Sequence, residues 1–168
     1  MPLPSPVPGR KMSTRWRKRP RGWPIKRLVT YWRSRWYHTG ADWSAPKGAP
    51  VLALNSGWMI PLDDDVLGDV VLLFWQSDHS GYKYTSWYCH LDKRFVSHFG
   101  QLDRETKPLR LDTGNTVTAY AILEGEQIGT VGDSGSGAMG PHLHLEKRSG
   151  WTTSWSGSDL DPMKSWGR

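Results

Sequence analysis

The chain has a single cysteine, Cys89, in 168 residues, which excludes an internal disulfide framework and any zinc module built on several thiolates. Its longest uninterrupted apolar run is Val70–Trp75, too short to cross a bilayer. No charged, then apolar, then small-residue pattern opens the chain, so no cleaved secretory signal is expected. No long stretch carries helical periodicity, and no H-E-x-x-H is present, which excludes a metal site built on one helix. Acidic residues are missing from the first 41 positions, which hold eleven of the 22 Lys and Arg and none of the 16 Asp and Glu. The basic balance therefore belongs to the N-terminal segment, because residues 42–168 carry a net −5.

The length suits one domain plus a tail. Residues 1–30 read as a basic, flexible leader and residues 31–168 as the domain. Alternating prolines in Met1–Pro8 favour an extended chain. Further on, Arg15, Arg17, Lys18, Arg19, Arg21, Lys26 and Arg27 interleave with Trp16 and Trp23. Such a mixture suits an anionic polymer or surface, whether nucleic acid, lipid headgroups or a polyanionic cell wall. It is equally what a solvated leader would contain. Pro20 and Pro24 prevent one continuous amphipathic helix.

From Trp32 onward, short apolar runs alternate with Gly, Asp, Asn and Ser clusters, the texture of a mainly β domain. Strands are expected at Val51–Leu54, Val70–Trp75, Tyr82–His90, Val117–Leu123, Gln127–Val131 and His142–Lys147, with a hairpin loop at Gln76–Gly81. The span Arg94–Gly114 reads as irregular, with a short helical turn near Leu102–Thr106.

Four of the six histidines sit in informative settings. In Pro141-His142-Leu143-His144-Leu145-Glu146 a strand projects both imidazoles from one face and both leucines from the other. The pair can supply two metal ligands, or one ligand and one catalytic group. His38 and Asp42 are four apart, and Gly40 and Pro46 argue for a turn or strand end. A set of His38, Asp42 and His144 matches zinc's tolerance for nitrogen and oxygen, and leaves a fourth position for water. His90, in Tyr88-Cys89-His90-Leu91, supplies another imidazole from the end of a different strand.

H-T-G-A-D-W-S-A-P-K-G-A-P, then Y-C-H-L, then I-G-T-V-G-D-S-G-S-G-A-M-G-P-H-L-H-L-E together resemble the lysostaphin-type (LytM-like) zinc endopeptidases of peptidoglycan. The resemblance spans roughly Tyr31 to Met163. It implies an antiparallel β domain with a substrate groove. It also implies Zn²⁺ held by His38, Asp42 and His144, with His90 and His142 as catalytic histidines that do not bind the metal. The implied reaction is hydrolysis of a peptide bond in the stem or cross-bridge by zinc-activated water. His142 would be the main acid/base group, and His90 the donor that orients water or stabilises the oxyanion. Glu146 reads either as a partner orienting an imidazole or as a solvated strand-end carboxylate. Two departures stand out: an insertion at about 95–116, and Leu145 where phenylalanine is usual.

Peptidoglycan is thus the expected partner, with anionic wall polymers or lipids engaged through residues 10–36, and a monomer is expected. With no export signal or transmembrane segment visible, a phage lysin released by a holin or carried on the virion fits the pattern. A nucleic-acid-binding protein acting through the Arg/Trp leader is the competing class, but it leaves the three-part His/Asp pattern to coincidence. A catalytically silent wall-binding relative is disfavoured because all five positions are filled. The run Gly132–Gly137 lacks the ending of a phosphate loop and reads as a groove-lining turn. Cys89 is expected to face the core, away from His90. His79 and His98 read as surface residues, and Asp63–Asp65 as a solvated turn. Most tryptophans should be core, with Trp43 and Trp58 flanking the metal region and Trp151, Trp155 and Trp166 crowding the C-terminus.

Overall fold

The computed structural model describes residues 5–14, 38–94, 104–154 and 159–162. Ten strands form one sheet: β1 (Ala41–Ser44), β2 (Pro50–Leu52), β3 (Gly57–Asp64), β4 (Gly68–Gln76), β5 (Lys83–Arg94), β6 (Thr106–Arg110), β7 (Thr116–Ile122), β8 (Gln127–Val131), β9 (His142–Ser149) and β10 (Asp159–Leu160). The main path runs β1-β9-β5-β4-β3-β7-β6, while β8 joins β5 to β2 and β10 pairs with β9. Every strand pairing is antiparallel. Among the described residues no helix is long and apolar enough to cross a membrane.

All six strands expected from the sequence are present, and the Gln76–Gly81 segment connects β4 to β5 as a hairpin loop. Strands β1, β3, β6 and β10 were not anticipated. Two of them contain a proline, which lacks the N–H that a central strand needs. Pro61 is tolerated because β7 pairs with β3 only over Gly57–Met59, and Pro108 lies in the terminal strand β6. The helical turn expected near Leu102–Thr106 is corrected in its described part: Thr106 opens β6.

Both faces of the sheet are covered, which is why β4 reads as a continuous apolar run. Its alternate residues feed two separate clusters. Val71, Leu73 and Trp75 pack with Trp43, Tyr88, Leu143 and Leu145. Val70, Leu72 and Phe74 pack with Trp87, Cys89, Leu109 and Ala119 on the other face. Even-numbered β9 residues share that second face, so one period-two pattern builds the core with Leu143 and Leu145 and the polar site with its neighbours.

The described part of the leader corrects the expectation of a free, flexible segment. Val7 is buried in the first cluster, the Leu52 amide donates to the Pro6 carbonyl at 2.8 Å, and Thr14 forms a β-bridge with Asp42. The basic stretch from Arg15 to Arg27 lies outside the described residues.

Candidate active site

Strand β1 pairs with β9 so that Asp42 stands opposite His144. Directly opposed residues of an antiparallel pair project to the same side. His38, just upstream of β1, completes a convergence of three donor atoms. His38 Nε2 lies 2.9 Å from Asp42 Oδ1 and 3.1 Å from His144 Nδ1, and that nitrogen lies 2.8 Å from the same carboxylate oxygen. The three groups form a cluster able to hold a metal ion. A tetrahedral zinc with ligands at about 2.0–2.1 Å accepts this donor set and needs only a slight spreading of the atoms. Two imidazoles and one carboxylate, gathered from positions 38, 42 and 144, thus fit the metal that the sequence implied.

The electrostatics of the cluster are cooperative. Burial alone would raise the Asp42 carboxyl, but hydrogen bonds from His144 and His38 outweigh it and hold the group well below the usual range. Burial alone would lower His144, yet Asp42 and Glu146 lift its pKa to about 9. Close packing also shapes the site: a side chain at Gly40 would run into the Leu145 carbonyl and the His144 ring.

Glu146 is completely buried, not a solvated strand end. Its Oε1 accepts from His144 Nε2 at 3.2 Å and from the Thr39 hydroxyl at 2.5 Å. Arg148 donates to Oε2 through Nε at 3.0 Å and a terminal nitrogen at 2.5 Å. Burial pushes the Glu146 carboxyl up, but His144 and Arg148 pull it down to about 2. The resulting anion holds the Nε2–H of His144, so that once the ring gives up its Nδ1 proton the lone pair there aims at the cluster. Thr39 and Arg148 were not singled out from the sequence. Arg148 was legible as the next even position after 142, 144 and 146.

His142 and His90 complete a five-residue group. His142 Nε2 is 4.0 Å from Asp42 Oδ1, and its Nδ1–H donates to the Gly140 carbonyl at 2.8 Å. The His90 ring centroid is 4.7 Å from that of His142 and 5.9 Å from that of His144. Its Nδ1–H donates to the Ser134 carbonyl at 2.8 Å. Burial pushes the His90 pKa down to about 4, so the ring is neutral at pH 7.

His90 lies within β5, not at its end, and reaches the site through an irregularity. Against β4, Tyr88 pairs with Val71 but Leu91 pairs with Asp69, so β5 carries one extra residue there. His90 adopts φ +60°, among the described residues the one non-glycine residue with positive φ. The bulge corrects the expected placement of Cys89. The thiol is buried as anticipated, but it pairs with His144 and lies on the same face as His90. Burial pushes that thiol well up, so it is inert as a nucleophile.

The Gly132–Gly137 run is a turn leading into β9, as expected. The Ser134 hydroxyl donates to the Leu91 carbonyl at 2.8 Å and accepts from the Asp69 amide at 2.9 Å. Asp64 caps the neighbouring turn by accepting from the Val66 and Leu67 amides, both at 2.8 Å.

The remaining candidates do not join the cluster among the described residues. His79 is exposed in the β4–β5 loop, at the opposite end of β5 from His90. His98, Trp155 and Trp166 lie outside the described residues. Trp43 does not flank the cluster, because its side chain is buried in the core on the opposite face. Trp58 is half-buried beneath Lys107, whose Nζ stands 3.8 Å from the ring centre.

A model described as peptidase family M23 matches residues 36–162. Among solved structures, the chain is similar to a zinc-containing peptidase from Vibrio cholerae (TM-score 0.60, 21% identity), covering 95% of this chain and 38% of that one. The catalytic domain of the antimicrobial peptidase lysostaphin from Staphylococcus simulans matches with TM-score 0.57 and 24% identity over 92% of this chain and 90% of that one. A variant of the catalytic domain of EnpA, a prophage-encoded M23 protein from Enterococcus faecalis, matches with TM-score 0.57 and 21% identity over 99% and 98%. At these identities the likeness establishes the fold. No curated protein matches the chain.

Proposed function

The chain belongs to peptidase family M23 and is a metalloendopeptidase, and from that premise we propose that it hydrolyses peptide bonds of bacterial peptidoglycan with zinc held by His38, Asp42 and His144. The observation that carries this reading is the convergence of the three donor atoms within 3.1 Å of one another beside two further imidazoles. Residues 31–168 form the catalytic unit in this proposal. The V. cholerae and S. simulans neighbours, named as a zinc-containing peptidase and an antimicrobial peptidase, support the choice of metal and of a bacteriolytic role.

Zinc, when bound there, supplies Lewis acidity that acidifies water and polarises a peptide carbonyl. The remaining work belongs to the side chains. His142 donates through Nδ1 to Gly140, so its neutral form turns the Nε2 lone pair towards Asp42 and the cluster. In that position it takes a proton from attacking water and returns it to the leaving amine. His90 is oriented in the same manner by Ser134. In the neutral ring its Nε2 is an acceptor, the second group able to orient the attacking water by taking a hydrogen bond from it; only after gaining a proton could it donate to the charge that develops on the carbonyl oxygen. Glu146 keeps His144 in its ligating tautomer.

The test is mass spectrometry of peptides released from purified peptidoglycans of several cross-bridge types, with and without a zinc chelator. Chelator-sensitive release supports the proposal and identifies the bond. A folded, zinc-loaded protein that releases nothing from any wall type overturns it.

A further inference from the structure

We infer that residues 5–14 form a strap that positions Asp42 for the metal, an inference that rests on the proposed ligand role of Asp42. Strand β1 ends the main path of the sheet, with β9 on one side. In an antiparallel ladder a residue turns both its N–H and its C=O towards the same neighbour. For Asp42 that neighbour is the strap. The Asp42 amide donates to the Thr14 carbonyl at 2.9 Å. Its carbonyl accepts from the Ser13 amide at 2.7 Å, from the Thr14 amide at 3.4 Å and from the Ser13 hydroxyl at 3.0 Å.

The Asp42–His144 pair is therefore a non-hydrogen-bonded one, in which side chains approach most closely but the backbones do not tie each other. Backbone restraint at Asp42 comes from outside the sheet path. The strap is itself anchored: Val7 is buried in the core with Met12 packed against it, and the Pro6 carbonyl accepts from the Leu52 amide at 2.8 Å. The strap residues Pro6, Val7, Met12, Ser13 and Thr14 all precede the family-matched span of 36–162. An element outside the recognisable peptidase sequence thus sets the backbone of a proposed ligand, as an added edge strand.

The test uses the full chain with zinc and cobalt(II) as probes. Ser13→Pro removes both Ser13 donors to the Asp42 carbonyl, Val7→Ser loosens the anchor from a distance, and Lys11→Ala changes an exposed strap residue as a control. Zinc affinity is read by competition with a chromogenic chelator, and ligand geometry from the visible spectrum of the cobalt-loaded protein. Ser13→Pro and Val7→Ser are expected to weaken zinc binding about 10-fold or more and to alter the cobalt spectrum, with Lys11→Ala matching the wild type. A variant that merely lowers overall stability would shift the melting temperature and leave that spectrum intact. Wild-type affinity and spectrum in Val7→Ser and in any folded Ser13→Pro overturn the strap. A wild-type chain that binds neither ion overturns the ligand assignment itself, a different failure.

Discussion

His90 and His142 bring their ring centroids to 4.7 Å although they come from strands β5 and β9 and each donates through Nδ1 to a different backbone carbonyl. Both rings thereby turn the other nitrogen outward, which is the arrangement two proton-handling groups require. His142→Ala is expected to lower kcat by about 10²–10⁴-fold, with His90→Ala at the lower end of that range. Both variants should retain zinc, because neither residue belongs to the three-atom cluster. Single-turnover kinetics beside metal analysis checks this. Loss of zinc from His142→Ala would mean that the roles of His142 and His144 are misassigned.

Metal binding should release a proton near neutrality. Metal-free His144 is lifted to about 9 by Asp42 and Glu146 over the opposing effect of burial, so it is protonated at pH 7.5. Zinc needs its Nδ1 lone pair, and uptake at that pH should expel about one proton. Calorimetry in buffers of different ionisation enthalpy measures the number. The same shift fixes a sign for stability without metal. A raised folded pKa stabilises fully below the unfolded value of about 6.5, and that contribution is lost as pH rises towards 9. His90 acts oppositely. Its folded pKa of about 4 means its contribution is present above pH 6.5 and is lost as pH falls towards 4.

Much of this site was legible because β9 is regular. Strict alternation from His142 onward separated Leu143 and Leu145 from the imidazoles, and burial on both faces explains the unbroken run of β4. The same rule failed one strand away. The bulge between Tyr88 and Leu91 carries an extra residue, so Cys89 and His90 share a face and counting by twos misplaces the thiol. A left-handed φ at a histidine has no compositional signature, unlike one at glycine. The strap was hidden for another reason. Prolines and serines in residues 5–14 describe an extended backbone, but whether that backbone docks depends on an unpaired edge more than 25 residues further on.

The Glu146–Arg148 pair should separate metal affinity from stability. Glu146→Gln keeps size and packing but weakens the acceptor of the His144 Nε2–H, so zinc affinity should fall about 10- to 100-fold with the fold intact. Arg148→Met removes one of the two cationic partners of a fully buried carboxylate, leaving only His144, and should cost up to about 3–5 kcal/mol. Urea denaturation and chelator competition on both variants make the comparison. Equal effects of the two substitutions on affinity would mean that Arg148 acts on the metal site as directly as Glu146 does.

Gly68 and Gly135 face each other where the β3–β4 turn meets the loop before β9. Each has positive φ, +72° and +80°, and a side chain on either would run into backbone of the other segment: Ser134 for Gly68, Gly68 itself for Gly135. Gly68→Ala therefore carries a left-handed penalty of about 1–2 kcal/mol, plus the cost of separating two main chains that have no flexible side chain to yield. The separation propagates, because Ser134 accepts from the Asp69 amide and its carbonyl holds His90. Activity should consequently fall further than stability alone explains, through kcat rather than KM, while zinc affinity stays at the wild-type level. A Gly68→Ala protein with normal kcat would show that the His90 ring does not depend on this backbone contact.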